Sequence, residues 1–190
     1  DIRVGDTVII ERAGDVIPNV VKVLHDKRNN FSKPYVITKY CPECKSLTSK
    51  PENEARRRCL NHYKCNAQVI EKLIHFCSKN ALNINGLGEK QIKVFYNSNF
   101  IFKFSDIFSL KKHKSELLEL NRFGKLSIKN ILNSIEKSKK ITFEKFLYAL
   151  GIKQIGLNTA RLLAEHFISV ENLNNQMINY KGNNYYNDII

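Results

Sequence analysis

Four cysteines, Cys41, Cys44, Cys59 and Cys65, stand in the pattern C-x2-C-x14-C-x5-C, and no other feature restricts the folding of this chain as tightly. Two closely spaced pairs joined by a short arm can close on one tetrahedral ion, each thiolate about 2.3 Å from it. Zinc suits four thiolates best, and full coordination leaves no open position for chemistry. The expected site is structural. Two disulfides would need an oxidising compartment, yet the sequence has no apolar signal segment and carries an odd fifth cysteine, Cys77. A redox C-x-x-C would leave Cys59 and Cys65 without a purpose. His62 lies between them as a competing ligand. Cys77, in the apolar run Leu73-Ile74-His75-Phe76-Cys77, reads as a small buried hydrophobe.

Charge supplies the second constraint. Among 190 residues, 31 Lys and Arg oppose 18 Asp and Glu, a net charge of +13. Such a surface calls for a polyanionic partner or for a heavily solvated face. A hydrophobic fraction of 43% is enough for a core, which excludes wholesale disorder. No run of 18 apolar residues occurs, so no membrane-spanning helix is expected.

The periodicity changes along the chain. Thr7-Val8-Ile9-Ile10-Glu11 and Val16-Ile17-Pro18-Asn19-Val20-Val21 read as strands around a turn at Ala13-Gly14-Asp15. So few strands cannot bury both faces, and a larger β domain is expected around them. Residues 25 to 40 form a polar connector. From Ala67 onward apolar residues recur at helical spacing, as in Val69, Ile70, Leu73, Ile74 and Cys77. The fold class is therefore mainly α with a small N-terminal β part.

The helical part repeats itself. Gly86-Leu87-Gly88, Arg122-Phe123-Gly124 and Gln154-Ile155-Gly156 align, each followed by three mostly polar residues and then an apolar one: Ile92, Ile128 or Ala160. A further apolar residue stands three later, at Phe95, Ile131 and Leu163. Apolar helical runs at 69 to 77, 107 to 120 and 143 to 150 precede the three turns. The unit is helix, tight hairpin, helix. A glycine just before a helix exposes N–H groups at the positive end of the helix dipole, where a phosphate oxygen can bind. Lys90, Lys125 and Lys129 add charge beside two of the turns. Glycine also simply turns helices in many bundles; three copies in register on a strongly basic chain favour phosphate contact, without base readout. Arg122 and Gln154, where the first copy has Gly86, are expected to narrow the close approach, although Arg122 can itself reach a phosphate.

Together these residues resemble the C-terminal portion of bacterial NAD-dependent DNA ligases. The segments Asp1 to Val8 and Arg12 to Pro18 resemble the end of the OB domain, and the cysteine spacing that of the four-Cys zinc finger. Leu73-Ile74-His75-Phe76 with Ile84 to Lys90, then Leu147 to Ile152 with Ala160 to Phe167, resemble the helix-hairpin-helix domain. The resemblance implies an OB-fold end with connector over 1–40, a four-cysteine zinc finger over 41–66 and a helix-hairpin-helix bundle over 67–190, with a degenerate fourth repeat. It implies structural Zn2+, with NAD and Mg2+ used only by the complete ligase. The implied partner is nicked double-stranded DNA, gripped during replication and repair in the bacterial cytoplasm at the nucleoid, alongside a ligase N-terminal half. The residues implied to face DNA are Arg12, Gly86, Leu87, Gly88, Lys90, Arg122, Phe123, Gly124, Lys125, Ile155, Gly156 and Asn158.

The Lys-x-Asp-Gly motif that carries adenylate in that family is absent, so this polypeptide is expected not to seal DNA alone. The competing reading is a stand-alone, non-enzymatic zinc and helical-hairpin module that binds nucleic acid or protein. A stand-alone catalyst finds no support: His25, His62, His75, His113 and His166 are scattered without an evident nucleophile or carboxylate partner.

Overall fold

The computed structural model describes residues 2–13, 17–52, 54 and 56–180. The chain divides into two compact units, residues 1–60 and 61–190.

In the first unit, β1 (Val8–Ala13) and β2 (Ile17–Val23) form an antiparallel pair with a bulge between Ile9 and Ile10. β-branched residues favour this extended pairing, and Pro18 faces Arg12 across it, at the start of a strand that has one neighbour among the described residues. The turn expected at Ala13-Gly14-Asp15 lies largely outside the described residues. Ile10, Ile17 and Val21 are more than half exposed. One 3-10 turn at His25–Lys27 interrupts the connector. Arg28 grips Asp6 with two parallel bonds, Nε to Oδ1 at 2.8 Å and Nη2 to Oδ2 at 2.7 Å. The backbone N–H of Arg3 donates to the same carboxylate at 2.8 Å. Arg28 and then Arg3 hold the Asp6 carboxyl down to about 2. A second two-stranded sheet pairs β3 (Thr48–Ser49) with β4 (Arg58–Cys59).

The second unit is helical. It runs through α1 (Asn66–Cys77), α2 (Glu89–Asn97), α3 (Phe104–Ser109), α4 (Lys114–Glu119), α5 (Lys125–Ser138), α6 (Phe143–Ala149), α7 (Leu157–Phe167) and α8 (Val170–Tyr180). The helical run expected over 107–120 is interrupted: α3 and α4 are joined by a 3-10 turn, Leu110–His113. The break falls at His113, whose backbone leaves helical values (φ −100, ψ 19) and whose ring packs on Phe100 at 5.5 Å.

Ile92, Phe95, Ile101, Ile107, Leu110, Leu117 and Ile128 have no exposed surface. Complete burial of such side chains stabilises the fold by about 1.5–3 kcal/mol each. Phe76 stacks on Phe104 at 4.2 Å and meets Phe108 edge-on. Cys77 belongs to this core, and burial pushes its thiol up to about 12. The hydrophobe expected there is present.

Candidate functional site: a four-thiol cluster and three glycine hairpins

The four thiols of Cys41, Cys44, Cys59 and Cys65 all lie within 4.8 Å of one another, and Cys44 and Cys59 are 3.5 Å apart. Ligands about 2.3 Å from one tetrahedral ion stand about 3.8 Å from each other, so the cluster fits such an ion. Local structure produces the geometry. Around the first pair, the N–H of Cys41 bonds the Ser46 carbonyl at 2.8 Å and that of Lys45 bonds the Cys41 carbonyl at 3.0 Å, with Lys45 in the left-handed region at φ 60. Cys59 ends β4. Cys65 is the N-cap of α1, where the helix dipole favours a thiolate. Ser46, by side chain and backbone, and then the neighbouring Cys59 and Cys41 thiols hold the Cys44 thiol down to about 6. All of this prepares metal ligation and none of it supplies an open coordination position. His62 is not among the grouped ligands; its Nδ1 lies 2.8 Å from Gln68 Oε1.

The three hairpins are built alike. In each, an N–H bonds the carbonyl three residues earlier: Leu87 to Ile84 at 3.2 Å, Phe123 to Leu120 at 3.2 Å and Ile155 to Ile152 at 3.0 Å. The third residue of each turn has positive φ: Gly86 at 88°, Arg122 at 73° and Gln154 at 70°. Type II turns need that conformation. Arg122 and Gln154 therefore preserve the backbone path of Gly86 despite their side chains. Next comes an inward-facing residue. Leu87 is 3% exposed, Phe123 packs on Phe95 at 5.0 Å between ring centres, and Ile155 is half-buried. Any contact these residues make with a partner must run mainly through their backbone.

The last hairpin residue is the helix N-cap: Gly88 for α2, Gly124 for α5 and Gly156 for α7. No side chain caps any of them, so first-turn N–H groups stay available. Their backbones are extended, with φ between −83° and −85°. A Cβ added to Gly124 or Gly156 would meet nothing within 4 Å among the described residues, and one on Gly88 only the Gln91 side chain at 3.4 Å. Gly86 is different: a Cβ there would lie 2.7 Å from Ile131 Cγ1. Lys90, Lys125 and Asn158 are exposed in the first turns of α2, α5 and α7, and Arg122 is exposed beside Gly124. Arg12 is exposed on β1.

Two fastenings were invisible in the sequence. The Asn85 N–H donates to Ser134 Oγ at 2.7 Å, tying the first hairpin to α5. His75 Nε2 donates to the Tyr148 carbonyl at 2.8 Å, and the two rings meet edge-on at 4.8 Å. Gly151, at φ 62, ends α6 against that imidazole. Residues that meet across dozens of positions leave no local signal.

Among the described residues no helix is long and apolar enough to cross a membrane. Residues 1–32 match the family model of the NAD-dependent DNA ligase OB-fold domain, residues 40–67 that of the NAD-dependent DNA ligase C4 zinc finger domain and residues 145–179 that of the helix-hairpin-helix motif. Relatives include the DNA ligases of Onion yellows phytoplasma and Listeria monocytogenes, each 47% identical over 91% of this chain, and of Bacillus cytotoxicus at 45%. The chain spans about a quarter of the length of these curated relatives, between 25% and 26%.

Proposed function

Taking as premise that this chain is homologous to a segment of the NAD-dependent DNA ligases, we propose that it is the part of such an enzyme that grips nicked duplex DNA. In the complete ligase it orients a 5′-phosphate against a 3′-hydroxyl, an effect of positioning and not of bond chemistry. NAD and Mg2+ act elsewhere in that enzyme. Here the four thiols hold structural zinc, and the three hairpins present backbone N–H groups to phosphates.

One observation carries the reading. Gly124 and Gly156 sit in backbone conformations open to any residue, and among the described residues nothing lies within 4 Å of where a Cβ would go. The fold does not require glycine at either position. A partner whose backbone comes close does require it, and uncapped helix N-termini are suited to phosphate oxygens. Arg122, Lys90 and Lys125 add charge at the same places. The exposed apolar residues of β1 and β2, Ile10, Ile17 and Val21, support docking against the β layer of a ligase N-terminal half.

The test is a salt titration of binding to nicked duplex. With about six phosphate contacts, log K should fall with log salt at a slope near −5. A slope near zero overturns the grip. Gly124→Ala and Gly156→Ala should each lower affinity for every duplex sequence alike while circular dichroism stays unchanged; unchanged affinity returns these glycines to a purely local role. Preference for an RNA or a protein ligand over nicked duplex would favour a stand-alone module. Sealing restored by adding a polypeptide that carries Lys-x-Asp-Gly would support the split-ligase partnership.

A further inference from the structure

Tyr63 stands in the short loop between Cys59 and Cys65 and is 89% exposed. The loop fixes its position from both sides. The N–H groups of Lys64 and Cys65 both donate to the Asn61 carbonyl, at 3.4 and 3.0 Å. Cys65 is one of the four clustered thiols and the N-cap of α1. Lys72 of α1 reaches back to the loop: its Nζ lies 4.9 Å from the centre of the Tyr63 ring and donates to the His62 carbonyl at 3.5 Å. An ammonium over an aromatic face is an attractive contact. Lysine therefore backs one face of the ring, and the exposure of Tyr63 leaves the other face to solvent.

Residues 55–72 contain Arg56, Arg57, Arg58, Lys64 and Lys72 against a single acid, Glu71. Glu71 is exposed on α1, about 100° round the helix from Lys72. Lys64 is exposed next to Tyr63. An open aromatic face with cations beside it suits an unpaired nucleotide, whose base stacks on the ring while its phosphates meet the cations.

We propose that Tyr63 is a stacking residue for an unpaired nucleobase, with Lys64 and Lys72 as contacts for the flanking phosphates. The inference rests on the DNA-gripping reading above and extends it to bases that have left the duplex. In a continuous duplex each base is covered on both faces by its neighbours. A face becomes free where a strand ends, frays or carries a flap. Backbone N–H groups at the hairpins hold paired DNA whatever its bases, whereas a stacking ring separates interrupted from continuous duplex. The ring is already positioned by its loop and by Lys72, so little ordering opposes the contact. Stacking on it is tolerant of base identity.

The experiment titrates the full chain, with zinc bound, with an oligothymidylate of about twelve bases, within the site sizes of single-strand binders. Nicked duplex carrying a short unpaired flap and continuous duplex are measured beside it. The chain has eight tyrosines and no tryptophan, so quenching of tyrosine fluorescence reports stacking directly. Tyr63→Ala should weaken binding of oligothymidylate and of the flap by about 5- to 100-fold, with continuous duplex bound as before. Tyr63→Phe should keep the affinity and lose the part of the quench that Tyr63 supplies; it serves if Tyr63→Ala disturbs zinc content. Lys72→Gln should make the salt slope on oligothymidylate shallower by about 0.7. Unchanged affinity in Tyr63→Ala overturns the proposal, as does an equal loss on continuous duplex. Quenching by anionic lipid vesicles with none by DNA would overturn it too. Continuous duplex that still responds to Gly156→Ala leaves the hairpin reading intact in each of these cases.

Discussion

Gly86 and Ile131 touch so closely that a single added methyl would lie 2.7 Å from Cγ1 of the isoleucine. Ile131 is itself 1% exposed and cannot withdraw. The first hairpin thus rests directly on α5, with the Asn85–Ser134 bond beside the contact. Gly86→Ala adds both left-handed strain and overpacking, and should destabilise the second unit by about 2–4 kcal/mol. Gly156→Ala, in open extended backbone, should cost under about 1 kcal/mol, the scale of an N-cap change. Denaturant unfolding of the two variants checks the contrast, and equal losses would contradict it.

Zinc should bind with one ion per chain, measured by elemental analysis. Cys44→Ser and Cys59→Ser should each abolish tight binding. Removing the ion should unfold residues 41–66, because in small thiolate sites the metal-binding free energy is folding free energy. Hydrogen exchange that stays slow in this segment after chelation would contradict the assignment.

Thiol labelling should divide the five cysteines. With burial pushing its thiol up to about 12, Cys77 should resist iodoacetamide at neutral pH, because only the thiolate reacts. After metal removal the other four should be alkylated, giving four adducts by mass spectrometry. A fifth adduct in the folded chain would show that Cys77 is accessible.

Acid should act on the Asp6–Arg28 pair. Arg28 holds Asp6 near 2 from an ordinary value of 3.8. The pair's contribution is therefore complete above about 4 and disappears as pH falls from there through about 2, since the unfolded chain takes up the proton first. Asp6→Asn should lower the melting temperature of the first unit at pH 6, and the difference from the unaltered chain should close toward pH 2. A difference that stays constant over this range would exclude the charge as its source.

His75 should matter for stability through its bond to the Tyr148 carbonyl. His75→Phe keeps an aromatic ring in contact with Tyr148 but removes the donor. A loss of about 1 kcal/mol is expected, read by denaturant unfolding. No loss would show that ring packing alone holds α1 to α6.

The sequence by itself determined whatever depends on neighbours along the chain. Cysteine spacing placed four thiols within reach of one ion, because short turns around Cys41–Cys44 and Asn61–Cys65 fix each pair locally. The glycine register located three helix starts, because an N-cap is decided by a few consecutive dihedrals. Apolar spacing marked Ile92, Ile128 and Ala160 as inward-facing, and all three have no exposed surface. Tertiary structure decided the rest. Only packing separates Gly86, which α5 leaves no room to replace, from Gly124 and Gly156, where a Cβ would meet nothing within 4 Å among the described residues. Only the fold reveals that Arg122 and Gln154 hold the left-handed turn that Gly86 holds and that His113 divides the run between α3 and α4. These relations join residues separated by many turns of chain, and pattern along a sequence does not encode distance in space.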